Sequence, residues 1–327
     1  MHPSEPSRGD ILLVLDPLST LSPRADSSYV MIREALRRGY RVHAAQLGDL
    51  HLAGPRALAH ATPIGIDDAA AAPGPVRPLG DPAVREARSF KAILMRKDPP
   101  VDAAFVVATW WLDRAADETL VVNAPQGLRD LSEKLAILRF PSVIPPTYLL
   151  RNPADLRATL RELGGRMILK PVYGYGGRGV LLAREDDPNL STLLEVATED
   201  GKTWTIAQAF IPEAARGDKR ILLVDGAPIG AVLRVPAQGE IRNNFHMGGS
   251  PALTGLSARD LEICAAVGPF LKERGQFFVG LDVLGDYLTE INVTSPTGMQ
   301  EVNRLHGLSG GETMEAKFWD GLEARLT

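Results

Sequence analysis

The sequence predicts a mixed chain, an α/β unit followed by an α+β unit. Three observations carry this prediction. Short apolar runs alternate with helical periods over residues 11–131, proline-punctuated strands and helices take over from residue 132, and 327 residues suffice for two or three packed units.

Ile11 to Leu15 is an apolar run that ends in Asp16-Pro17, which predicts a first strand. Asp26-Ser27-Ser28 can cap a helix that closes at Gly39, and Arg41 to Leu47 alternates like a second strand. Ala92 to Met95 and Leu120 to Val122 supply two more strands, with a helix over Val101 to Ala116 between them. A mostly parallel sheet follows. Residues 69–82, rich in Ala, Pro and Gly without a period, read as a surface excursion, and residues 1–10 as a disordered tail. A second unit begins with a helix from Ser132 through Leu138 and a link holding Pro141, Pro145 and Pro146. It continues as a strand (Thr147 to Leu150), a helix (Pro153 to Leu163), and strands at Met167 to Lys170 and Val180 to Leu182 around a glycine-rich turn. From about Ile211 come several strands, a helix over Ala258 to Arg274 and a hairpin over Phe277 to Val293. The units predicted are 11–131, 132–210 and 211–327.

Composition narrows the function. A formal net charge of -4 and a pI near 5.9 leave no basic stripe for a phosphate backbone, so nucleic acid is not expected as a partner. No apolar run approaches the ~18 to 20 residues that span a bilayer, and the opening residues lack the apolar core of a secretory signal. A single cysteine, Cys264, excludes an intrachain disulfide and sits in a helical pattern as a small core side chain. Together these point to a reducing, cytoplasmic setting.

The turn Tyr173-Gly-Tyr-Gly-Gly-Arg-Gly179 has four glycines in seven residues, so backbone can approach a ligand closely. Strand-like sequence on both sides makes it neither a P-loop nor a dinucleotide fingerprint, each of which opens a helix. A lid between antiparallel strands and a plain hairpin turn both fit the glycines. Lys170, a cation at the end of an apolar strand, favours phosphate.

The hairpin is the most informative stretch. Leu281, Val283, Ile291 and Val293 form one apolar set at period two, leaving Asp282, Glu290 and Asn292 on the alternate positions. A three-residue connection, Gly285 to Tyr287, sets Asp282 opposite Glu290 and all three on one face, whereas a two-residue turn splits them. The three-residue loop is therefore expected. Two carboxylates and an amide oxygen gathered this way repel one another without a cation, and hard oxygen ligands suit magnesium bridging nucleotide phosphates.

At this point the residues resemble a known family, the bacterial glutathione synthetases of the ATP-grasp superfamily, over nearly the whole chain. The matching strings are Leu15-Asp-Pro17, Asp26-Ser-Ser28, Leu94-Met-Arg-Lys-Asp-Pro-Pro100, Ser132-Glu-Lys134, Ile168-Leu-Lys-Pro171, Gly217-Asp-Lys-Arg220, Val279-Gly-Leu-Asp282 and Leu288-Thr-Glu-Ile-Asn-Val-Thr-Ser-Pro-Thr297. The resemblance implies a Rossmann-like N-terminal domain followed by a two-subdomain ATP-grasp fold. It implies ATP phosphates on Lys134 and Lys170, with Tyr175, Gly176 and Gly177 closing over them. Gln208, Ala209, Phe210 and Ile211 would meet the adenine, and Asp218 the ribose, unless Asp218 orders Arg220. Asp282, Glu290 and Asn292 would hold Mg2+, with Mn2+ an alternative. Arg220, Arg234 and Lys170 would supply charge while a γ-glutamylcysteine carboxylate takes the γ-phosphate and glycine then displaces it. Ser27, Arg242, Asn244, Ser295 and Thr297 would hold the peptide under a lid over residues 236–249. Related enzymes form homo-oligomers.

The sequence departs from the family at Tyr173, where an acidic residue is usual, at Phe245-His-Met247 in the lid, and after Thr297. Another γ-glutamyl peptide or amine is the alternative these departures leave open, and a non-catalytic nucleotide-binding module is a second. His246 reads as a loop histidine.

Overall fold

The structure is a computed structural model that describes residues 7–67, 74–174, 176–237 and 249–326. Strand β1 (Asp10–Val14), helix α1 (Ser27–Arg37) and strand β2 (Arg41–Ala45) open the chain. Asp26 accepts the Ser28 N–H at 2.7 Å as the α1 cap, and Gly39, at φ +84°, ends the turn that leads into β2. Asp10, assigned to the tail from sequence, instead starts β1, with its buried carboxylate taking Arg41 and Arg85.

Next come β3 (Leu50–Ala53), β4 (Arg56–Ile66), β5 (Val76–Pro78) and β6 (Ala83–Glu86), then β7 (Ala92–Met95), α2 (Ala103–Ala116), β8 (Leu120–Val122) and α3 (Pro125–Asp130). The main sheet runs β3-β4-β2-β1-β7-β8. Its inner pairs β2/β1, β1/β7 and β7/β8 are parallel, as expected. The antiparallel extension of β3, β5 and β6 on β4 was not expected, and β5 lies within the stretch read as a surface excursion.

The helix expected from Ser132 is instead a turn followed by a short 3-10 segment, Ala136–Arg139. Its backbone serves another element: Glu133 O accepts Ile291 N–H and Val143 O accepts Leu288 N–H, both at 2.8 Å. Strand β9 (Thr147–Leu150), α4 (Pro153–Glu162), β10 (Arg166–Pro171), β11 (Leu181–Arg184), α5 (Leu190–Thr198) and β12 (Thr205–Ala209) follow. They form a four-stranded antiparallel sheet, β11-β10-β12-β9.

The last region holds β13 (Asp218–Val224), β14 (Ala227–Val235), β15 (Ser250–Ala252), α6 (Ala258–Glu273), β16 (Phe278–Leu284), β17 (Tyr287–Asn292), α7 (Met299–His306) and α8 (Met314–Leu326). Its sheet order is β15-β14-β13-β16-β17, all antiparallel. One face, with Ile221, Leu223, Leu281, Val283 and Ile291, packs with Ile263, Cys264, Val267 and Leu271 of α6 in one buried cluster. Each such aliphatic side chain contributes about 1.5–3 kcal/mol by leaving water. On the other face, Leu222, Val224 and Val232 are covered by Met299, Val302, Phe318 and Trp319 of α7 and α8. Only one end of that second face is polar.

Candidate active site

The polar end follows from alternation. Asp218 and Arg220 are two residues apart on β13, so they share a face. Arg234 of β14 pairs with Asp218, and Asp282 of β16 pairs with Arg220. Glu290 of β17 pairs in turn with Asp282, and Asn292 with Gly280. A row Arg220, Asp282, Glu290 thus crosses three strands.

The pairing that sets Glu290 opposite Asp282 is the one expected, but the connection is not. The turn has two residues, Gly285 and Asp286, between Leu284 and Tyr287, which corrects the three-residue loop. The additional residue sits in the strand, where a bulge between the Val283/Leu288 and Asp282/Glu290 pairs leaves Thr289 unpaired. Its hydroxyl donates to Asp282 O at 3.0 Å. A bulge moves the register by one, as a longer turn would, so the shared face survives.

Charge is tightly matched beneath this face. Arg220 Nε and Nη2 reach Asp282 Oδ1 and Oδ2 at 2.5 and 3.0 Å, and Arg234 Nη2 reaches Asp282 Oδ2 at 2.9 Å. Arg234 also forks onto Asp218, with Nε at 2.8 Å from Oδ1 and Nη2 on Oδ2. Burial pushes the Asp282 carboxyl up, but the two guanidiniums override it and hold the group well below the usual carboxylate range. Asp218 therefore orders Arg234 rather than Arg220. Neither arginine lines the cleft, since both are enclosed by their carboxylates.

The cleft has about 840 Å3 of empty space, mouth included, between this face and the four-stranded sheet. Lys134, Lys170, Gly176, Gly177, Gln208, Ala209, Phe210, Ile211, Asp218, Asp282 and Glu290 all line it, which brings together most of the residues singled out from sequence. Lys134 Nζ donates to Gly174 O and stands 4.0 Å from Glu290. Lys170 is the penultimate residue of β10; burial pushes its ammonium pKa down, against the opposing pull of Glu290. Gly176 and Gly177, at φ +61° and +75°, hold left-handed conformations in the turn. The Gln208 side chain is spent on Thr147 Oγ1 at 2.9 Å and the Ala209 N–H on Pro146 O at 2.9 Å, and Phe210 and Ile211 follow beyond the ladder.

The oxygens fit a hard cation. Asn292 turns Nδ2 toward Gly280 O and Asp282 Oδ2, at 3.4 and 3.3 Å, so its Oδ1 points away from both. The Glu290 side chain is 21% exposed, and among the described residues Asp282 Oδ1 takes one donor only. Among the described residues no three His, Cys, Asp or Glu side chains cluster, so the amide of Asn292 would complete any such site.

The peptide-binding expectations fare unevenly. Thr297 O accepts from Arg220 Nη1 at 3.3 Å and so borders the row, whereas Ser295 Oγ donates to Arg96 O, also at 3.3 Å. Ser27 is fully buried and accepts the Met299 N–H at 3.3 Å. Tyr175, Arg242, Asn244, His246 and most of the lid lie outside the described residues.

Sequence reasoning passed over three residues. Asn123, at the end of β8, bonds Phe278 O and N–H and Val293 O at 2.6–2.8 Å, tying the first sheet to both strands of the hairpin. Glu133 accepts from Thr294 Oγ1 at 2.7 Å. Arg96 is buried at the end of β7. The signal that marked Lys170, a cation closing an apolar strand, marks Arg96 as well.

The family described as prokaryotic glutathione synthetase, ATP-grasp domain, matches residues 133–307, and its N-terminal domain matches residues 10–129. Glutathione synthetase of Vibrio parahaemolyticus is 42% identical over 316 residues, 96% of this chain and 98% of that protein. That of Synechococcus elongatus is 41% identical over 309 residues, 92% and 95% of the two chains. Among solved structures, D-cycloserine synthetase DcsG has a TM-score of 0.67 at 15% identity, covering 98% of this chain and 100% of that one. The D-alanine–D-alanine ligase of Bacillus anthracis, complexed with ATP, has 0.55 at 13%, covering 97% and 96%. These two share the fold. No helix among the described residues is long and apolar enough to cross a membrane. The chain belongs to the prokaryotic glutathione synthetase family.

Proposed function

We propose that this chain is an ADP-forming ligase that joins γ-glutamylcysteine to glycine, giving glutathione and phosphate. The observation that carries the reading is the row Arg220, Asp282, Glu290 gathered with Lys134 and Lys170 at one cleft, in a chain 42% identical to glutathione synthetases. In the proposed sequence a substrate carboxylate oxygen attacks the γ-phosphorus of ATP, the bond to the β,γ-bridging oxygen breaks, and ADP leaves. The glycine amine, having lost a proton, then attacks the acyl carbon, and phosphate departs.

Lys134 and Lys170 neutralise the phosphates, Gly176 and Gly177 with Tyr175 close over them, and the backbone of Phe210 and Ile211 meets the adenine. Asp282, Glu290 and Asn292 would hold Mg2+, or Mn2+ with the same hard oxygens, and the ion would supply charge neutralisation at the transferring group. Arg220 and Arg234 act through Asp282, fixing its position and its ionised state. Ser295 and Thr297, with Arg242, Asn244 and Ser27, border the peptide. We further propose units at 11–131, 132–210 and 211–327, a homo-oligomer, and a cytoplasmic location.

A coupled assay of ADP release tests the reading. Turnover that needs both γ-glutamylcysteine and glycine supports it. A requirement for another peptide or amine moves it to a related ligase, the alternative raised by Tyr173, which is 76% exposed beside the cleft. ATP binding without turnover would refute it.

A further inference from the structure

The β3–β4 edge of the first sheet carries a pair of imidazoles that the proposed reaction does not use. His51 of β3 pairs with Leu58 of β4, and His60 lies two residues beyond Leu58, so the two histidines are diagonal neighbours on one face. The opposite face of β4, with Ala57, Ala59 and Ala61, is buried in one cluster with residues of α2. The imidazoles are therefore turned away from that core; His51 is half-buried and His60 exposed.

Their ring centres stand 5.1 Å apart, with the planes tilted by 34°. An ion held about 2.1 Å from one nitrogen of each ring lies about 3.2 Å from each ring centre, which sets the centres about 5.2 Å apart at a tetrahedral angle and about 4.5 Å apart at a square-planar one. The observed spacing matches the tetrahedral case. A neutral imidazole keeps one lone-pair nitrogen, and among the described residues neither ring spends it on a hydrogen bond. Glu86 of β6, opposite Leu58 on the same face, is shared by Arg56 and Arg88 at 3.2 and 2.5 Å and so is already committed. No third His, Cys, Asp or Glu joins the pair among the described residues, which leaves the remaining positions of a four-coordinate ion to water.

We infer that His51 and His60 form a surface site for a divalent cation that takes nitrogen ligands tetrahedrally, zinc above all. Imidazole selects zinc, copper or nickel over magnesium, and the spacing selects the tetrahedral ion among them. The site differs in class from the oxygen ligands proposed for magnesium, and neither histidine lines the cleft. Strand β3 pairs with β4 alone, at the end of its sheet, so an ion joining the two rings ties the edge strand to its neighbour. Occupancy should raise thermal stability and leave ligase turnover unchanged.

The test is calorimetric titration of metal-stripped protein with zinc chloride, with magnesium in large excess to fill sites built of oxygen. One zinc ion should bind per chain, and His51→Ala or His60→Ala should each weaken it by about tenfold or more. Zinc should also shift the ring-proton resonances of two of the six histidines in the unmodified protein, a readout that needs no variant. Those two should be the resonances that the His51→Ala and His60→Ala proteins lack. Zinc affinity unaltered by His60→Ala overturns the inference, as does uptake of manganese equal to that of zinc, which would mark oxygen ligands. Shifts confined to the other four histidines, or no zinc uptake below about 1 mM, would overturn it as well.

Discussion

On the β13–β17 side of the cleft, Arg220 and Arg234 are committed to Asp218 and Asp282 through four hydrogen bonds and a further ion contact. On the β9–β12 side, Lys170 makes no ion pair among the described residues. The first side is satisfied by its own sequence, and the second holds positive charge still to be matched. A metal ligand has to be placed within tenths of an ångström, which a locked lattice supplies. A phosphate clamp has to accept and release nucleotide, which argues for cations that gain their best partner only from the ligand.

The largest effect expected tests the locked side at its open edge. Glu290→Gln should lower kcat about a thousandfold, because a charged hard ligand is lost where charge develops. Its unfolding midpoint should hardly move, since the side chain is partly exposed and its nearest cation, Lys134, is 4.0 Å away. Full turnover in this variant would remove the metal reading altogether.

Asp282→Asn probes the centre of the lattice. Arg220 and Arg234 would both lose a charged acceptor in a buried setting, a loss of about 3–5 kcal/mol in denaturant unfolding. If stability drops by less than about 1 kcal/mol, the matched charges are ornamental and the comparison between the two sides fails.

Gly176→Ala addresses the other side. The residue sits at φ +61° with nothing within 4 Å of an added Cβ, so the cost is conformational alone, about 1–2 kcal/mol. Because the turn need adopt that conformation only around nucleotide, KM for ATP should rise by about tenfold or less while the melting temperature stays within a few degrees. A change confined to thermal stability would instead make the turn a structural hairpin.

Period and capping made the parallel strands, α1, α2 and the hairpin legible. They could not reveal β3 to β6: β6 has no buried residue, and β4 has no regular alternation, because these strands pad an edge rather than face one core. The stretch after Ser132 looks helical in spacing, yet its carbonyls are taken by the β17 edge, a tertiary demand that local sequence does not announce. Within the site, alternation fixed that Asp282 meets Glu290. Whether the additional residue lies in the turn or the strand changes no apolar position, so only the adjacent buried pair Leu288 and Thr289 hinted at the bulge. The partners of Arg220 and Arg234 depend on strand order, which periodicity leaves open.

The smallest effect is a sign rather than a size. Burial lowers the Lys170 pKa from its ordinary 10.5, with Glu290 only partly opposing it. A lysine depressed in this way binds fewer protons folded than unfolded, so its burial costs stability at neutral pH and the cost is withdrawn as pH rises through the lowered value toward 10.5. Lys170→Met should therefore make the ligand-free protein more stable at pH 7, an advantage that fades in alkaline solution, and should remove most of the thermal shift produced by ATP. The Asp282 substitution acts with the opposite sign, since its charges are already paired. Should Lys170→Met destabilise the ligand-free protein at pH 7, the lysine is matched within the fold and both sides of the cleft hold charge in the same way.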